Sequence, residues 1–192
     1  MSSFEFVLSL LGLMLGFSLA ELLGGLLRVL RARARTRIGM LTPALALFVA
    51  LDLTSFWANA WSARELIAPS YGLLVFGLLV SGLYFLAAAS VFPQEPKAGE
   101  SLDDHYYRRR RLILAGVGLC NVPVIAALVA TGSPQVTSPL AIATHSAYYL
   151  MLLLAAWPRA RLLNLAALAG LIALYLYYAV ATFLITPVPT GG

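Results

Sequence analysis

The chain has 192 residues, of which 61% are hydrophobic and 11% charged, where an average soluble domain carries about 25% charged residues. That composition excludes a soluble globular fold. The net charge of +5 calls for no nucleic-acid partner, because nearly all the basic residues flank apolar segments, where they set topology and touch anionic lipid.

A helix needs about 20 apolar residues to cross a hydrocarbon core of about 30 Å. Six stretches meet this, near 4–27, 39–61, 70–92, 112–131, 138–157 and 162–185. They are continuous, whereas strands of a membrane barrel alternate apolar and polar residues. The expected fold is an all-α polytopic bundle of six transmembrane helices, a single domain over residues 1–192.

The first span begins at Met1-Ser2-Ser3-Phe4-Glu5 without a basic segment, and reads as a retained helix instead of a cleaved signal. Gly12, Gly16, Ala20 and Gly24 recur every four residues on it, a small-residue stripe that lets another backbone approach closely. In a six-helix bundle the expected occupant is a neighbouring helix of the same chain; a dimer is the alternative. Glu21 lies roughly 10 Å from Arg28 along this helix, within reach of a snorkelling ion pair. The connector that follows carries Arg28, Arg31, Arg33, Arg35 and Arg37.

Span two has Pro43 near its start, where proline is tolerated, and then Asp52, Ser55 and Asn59 at helical spacing. Its outgoing connector holds only Arg64, beside Glu65. Span three leads into the longest connector, 93–111, with Pro93, Pro96, Lys97 and Gly99 followed by Ser101-Leu102-Asp103-Asp104-His105-Tyr106-Tyr107 and Arg108 to Arg111. Ser101 resembles an N-cap with acidic residues in the first turn, predicting an amphipathic cytoplasmic helix over 101–111 that leads into span four. A docking site for a partner is the functional alternative for this segment. Three spans lie on each side of it, which would invert the second half relative to the first, although the halves share no evident sequence similarity.

Span four carries Cys120, Asn121 and Pro123, with the proline expected to kink it and the amide placed near the weak point. A connector without charge, 131–139, leads to span five, which holds His145, Tyr148 and Tyr149 and ends at Trp157. Trp57, Trp61, Tyr71, Tyr106 and Tyr107 likewise sit near span ends, as interfacial anchors do. Arg159 and Arg161 introduce span six, which carries Ala166, Gly170, Ala173, Tyr175, Tyr177 and Tyr178. Twelve of the 13 basic residues therefore fall in the first, third and fifth connectors. The positive-inside rule places those connectors in the cytoplasm and both termini on the outer side of a cell inner membrane.

Ionisable groups at membrane depth are costly and mark functional candidates. With about 1.5 Å of rise per residue, Asp52 lies roughly 22 Å from Arg37, His145 roughly 21 Å from Arg159 and Tyr175 roughly 21 Å from Arg161. The three share one depth, and an Asp–His–Tyr cluster would form a titratable site able to carry a proton or coordinate a cation. Each could instead hydrogen-bond a neighbouring helix as scaffold.

Other chemistry is poorly provided for. The only lysine, Lys97, lies in a connector, so no intramembrane Schiff base can form, and single Cys120 allows no intrachain disulfide or thiolate cluster. His105 and His145 fall on opposite sides of the membrane; a dimer could still pair His145 with its copy. HExxH, GxSG and Gly-rich phosphate loops are absent from the sequence. No enzyme activity, metal centre or nucleic-acid partner is expected, no cofactor is assigned, and a haem, pigment or quinone at a subunit interface is left open. The expected partners are membrane lipid and a homo-oligomer or larger membrane complex. Two functional classes remain: a transporter or channel for protons, ions or a small solute with Asp52, His145, Tyr175 and Glu21 as binding candidates, and a non-catalytic accessory subunit.

Overall fold

The computed structural model describes residues 3–32, 38–62, 70–95, 99, 101–130, 132 and 134–185. Arg33, Arg35, Arg37, Arg64, Glu65, Pro96 and Lys97 lie outside the described residues, as does the side chain of Trp61. The helices are α1 (Ser3–Arg31), α2 (Leu41–Ser62), α3 (Tyr71–Val91), α4 (Leu102–Ala130), the short α5 (Pro134–Thr137), α6 (Pro139–Ala156) and α7 (Arg161–Ile185). All but α5 are long and apolar enough to cross a membrane. The chain is a multi-pass all-helical membrane protein. Helix is the form that satisfies every backbone polar group within a single span when lipid offers no partners.

Helix starts follow local chemistry. Ser70 Oγ accepts from the Leu73 amide at 3.2 Å, and Ser138 Oγ accepts from the Ala141 amide at 3.2 Å with Pro139 in the first turn. Each occupies a donor that the first turn leaves free.

α2 is the central element. It packs against α1, α3, α4 and α7, and half of its apolar window is buried, the largest share of any span. α1 lies across α3 and α2, turning Leu15, Ser18, Leu22, Gly25 and Val29 inward. The expected small-residue stripe faces elsewhere. Gly12 does lie under Trp57, where an added Cβ would fall 2.6 Å from the ring, but a Cβ on Gly16 would meet nothing within 4 Å. Ala20 is exposed, and Gly24 is neighbored only by Arg28 of its own helix, Nη1 3.7 Å from a built Cβ. Burying the adjacent leucines removes more apolar surface than burying glycine would, so the larger residues take the interior. The glycine that brings α1 close is Gly25, with an added Cβ 2.8 Å from Phe92.

α4 also departs from expectation. Residues 102–111 and the fourth span form one 29-residue helix, Leu102–Ala130. Ser101 Oγ accepts from the Asp103 amide at 3.2 Å, and no proline follows before Pro123, through which the helix continues. Its buried face runs through Leu102, Tyr106, Arg110, Ile113, Val117 and Cys120, a single stripe at the helical period.

The first two turns of α4 tie together the ends of four other helices. Asp103 accepts from the Leu41 amide at 3.1 Å and pairs with Arg161 at 3.5 Å, while Thr42 Oγ1 donates to the Leu102 carbonyl at 2.6 Å. His105 Nε2 lies 3.0 Å from the Ser90 carbonyl at the end of α3. Tyr106 Oη donates to the Ala155 carbonyl at 2.9 Å. Arg110 is 2% exposed. Its Nη1 donates to the carbonyls of Ala155 at 3.1 Å and Pro158 at 2.7 Å, and its Nη2 donates to that of Trp157 at 3.1 Å. The guanidinium also stacks 4.8 Å from the Tyr107 ring centre. Arg108, Arg109 and Arg111 are exposed. The expectation that every arginine of this run serves topology and lipid is therefore corrected at Arg110, which caps the C-terminus of α6, where free carbonyls and the helix dipole attract a cation.

Candidate functional site

Asp52 is the twelfth of the 22 residues of α2, at mid-helix, and is 0% exposed. Its carboxylate gathers donors from four other spans. Tyr84 of α3 donates to Oδ2 at 2.7 Å, Tyr148 of α6 donates to Oδ1 at 2.8 Å, and Tyr175 of α7 donates to Oδ1 through a very short hydrogen bond. Asn121 of α4 directs its amide nitrogen at both oxygens, 3.1 Å from Oδ1 and 3.3 Å from Oδ2. The same amide donates at 3.1 Å to Tyr148 Oη and at 3.2 Å to the Val117 carbonyl.

The sequence around Asp52 builds this cage. Phe48 and Phe56 flank it by four residues on either side and share its helix face. The Phe48 ring lies 6.4 Å from that of Tyr148 and 6.1 Å from that of Tyr175, and Phe56 lies 5.1 Å from Tyr84. Tyr148 and Tyr175 meet edge to face at 6.3 Å, the favoured geometry for aromatic quadrupoles. The rings hold the hydroxyls in position, and the hydroxyls converge on the carboxylate.

An ionised carboxylate is an acceptor with about four lone-pair sites. Here the donors fill them, all four are neutral, and among the described residues no cation pairs with Asp52. Burial opposes the charge and the four donors favour it, so occupancy by a proton or other cation depends on their balance. A phenol can donate or accept. When Asp52 is protonated, one hydroxyl can reverse its role without moving a helix, so the cluster can hold a proton or release it.

Of the residues expected to meet, Asp52 and Tyr175 do. His145 does not join them: it lies three residues from Tyr148 on α6, half-buried, with Nδ1 2.7 Å from the Ala141 carbonyl of its own helix. Glu21 is apart from the cluster on α1, where Arg28 donates to it at 2.7 Å. Ser55 is half-buried and Asn59 exposed, so the polar stripe of α2 turns away beyond Asp52. The cluster is thus Asp–Tyr–Tyr–Tyr–Asn. Tyr148 and Asn121 are visible in the sequence as polar residues deep in their spans, but Tyr84 carries little signal, because no arginine ends span three and marks depth along it.

No protein-family model, no curated protein and no solved structure matches this chain.

Proposed function

We propose that this membrane protein binds and exchanges a small cation, a proton or a metal ion, at Asp52 within the bilayer, as a transporter or channel does. The observation that carries the reading is the convergence of five spans on one fully buried carboxylate. A carboxylate at helix centre costs about 2.5–3.5 kcal/mol to insert on biological scales, and apolar packing alone would hold a bundle together without it. The proposal includes an inner-membrane location with the arginine-rich end in the cytoplasm, and it assigns no catalytic step. Six helices leave little interior for a complete pathway, which supports an oligomer.

The test is flux in liposomes of purified protein, read with internal pH and cation indicators. Wild type is expected to pass protons or small cations, and Asp52→Asn, which keeps the shape of the side chain, is expected to abolish flux at unchanged folded yield. Equal flux in the variant refutes the role of Asp52.

A second reading has its own observation. Gly16 and Ala20 face outward on α1 with open space over Gly16, the surface an accessory subunit would present to a larger membrane complex. Constant co-migration with one partner after mild extraction, together with no flux by the isolated chain, would support it.

A further inference from the structure

Resting on the reading of Asp52 as a cation site, we infer that the exchanged species is a proton and not a metal ion, and that it travels through the Tyr175 hydroxyl along the seam of α6 and α7. The donor set distinguishes the two ions. Hard metal ions take six or more oxygen lone pairs at about 2.0–2.6 Å. At Asp52 the oxygens are occupied by the hydrogens of three phenols and an amide, so a metal would have to expel these donors and turn the phenols around together. A proton requires one hydroxyl to reverse.

The surroundings of the cluster are asymmetric. Toward the arginine-rich end, Leu45 and Phe48 of α2 and Leu168 and Leu171 of α7 are all apolar and fully buried. Toward the opposite end the seam is polar. Tyr175 is half-buried, whereas Tyr84 is 0% and Tyr148 6% exposed. One turn farther along α7, Tyr178 is 44% exposed, with its hydroxyl 3.4 Å from Thr144 Oγ1 of α6. His145 is next to Thr144 and half-buried. The other titratable groups facing Asp52 are Cys120 on α4 and Tyr149 on α6; neither leads outward along this seam. Asn121 is also partly exposed, but an amide is a poor proton relay where a phenol is a good one.

The transfer balances at Tyr175. Its O–H bond breaks as a new O–H bond forms on Asp52 Oδ1, and the phenol oxygen takes a replacement proton from a hydronium ion on the outward side, which is left as water. The phenol ends neutral and the carboxylate is neutralised. Release is the reverse. Exchange in this conformation is one-sided, with Asp52 facing the end away from the arginines.

Infrared difference spectroscopy of the full chain in nanodiscs tests this directly. On acidification wild type is expected to show a carboxylic-acid C=O component that Asp52→Asn lacks, beside the bands of the other seven Asp and Glu side chains, and that component is expected to stay unmoved when sodium, potassium or calcium replaces choline. Hydrogen–deuterium exchange of that component is expected to slow about a hundredfold in Tyr175→Phe, the scale on which a positioned proton-transfer group contributes. Tyr149→Phe, which loses a phenol that bonds the Gly118 carbonyl and not Asp52, is expected to exchange at the wild-type rate. A component that shifts with the metal ion, or bands identical in wild type and Asp52→Asn at every pH, overturns the proton assignment; equal slowing in both phenylalanine variants overturns the Tyr175 route. The metal-ion comparison needs no variant, so it decides even where a substitution fails to fold. A metal-dependent band leaves the cation site standing, whereas liposome flux that survives Asp52→Asn removes the site itself.

Discussion

Four consecutive arginines, Arg108 to Arg111, are expected to differ sharply on substitution by methionine. Arg110→Met removes three charge-assisted hydrogen bonds, at 3.1, 2.7 and 3.1 Å, to the carbonyls of Ala155, Pro158 and Trp157. Hydrogen bonds to a charged group contribute about 1.5–3 kcal/mol each but not additively, and relief of the buried charge offsets part of the loss. Ala155 also keeps its bond from Tyr106 at 2.9 Å. The expected net destabilisation is about 2–4 kcal/mol, or one to three powers of ten in the unfolding constant at about 1.4 kcal/mol per tenfold. Arg109→Met, at an exposed position, should stay within about 0.5 kcal/mol of wild type. Arg110→Lys should fall between them, since one ammonium cannot reproduce a planar fork spanning three carbonyls. The measurement is reversible unfolding in mixed micelles followed by tryptophan fluorescence. If Arg109→Met and Arg110→Met unfold alike, the capping role of Arg110 is wrong.

Gly39 is expected to tolerate no side chain. A Cβ there would lie 1.9 Å from Asp103 Oδ1, so Gly39→Ala must displace the carboxylate that holds the Leu41 amide and Arg161, at a cost of about 1–3 kcal/mol. Gly16→Ala, with nothing within 4 Å of the new Cβ, should leave the melting temperature in detergent unchanged, and equal losses in the two variants would contradict this packing. Glu21→Gln breaks a 2.7 Å pair whose side chains are 39% and 29% exposed. Its effect should stay below about 1 kcal/mol, and a larger drop in unfolding free energy would mean that Glu21 has a role beyond pairing with Arg28.

The membrane class, the six spans and the shared depth of Asp52 and Tyr175 follow from the order of residues, because hydropathy is summed along the chain and depth is a count of helical rises. Azimuth is a different quantity. Extending the inward stripe of α4 back from Cys120 through Val117 and Ile113 would have reached Arg110 and Tyr106, but a run of four arginines reads as a block until the helix phase is known. The same holds for Gly16, whose spacing with Gly12 is clear but whose direction depends on the neighbouring leucines of α1. At Asp52 the sequence alone determined that a costly carboxylate sits at mid-membrane. Only the tertiary structure decided its partners, because Tyr84, Asn121, Tyr148 and Tyr175 lie 32, 69, 96 and 123 residues away, and helix arrangement, set by side-chain packing between spans, determines which polar groups at one depth meet.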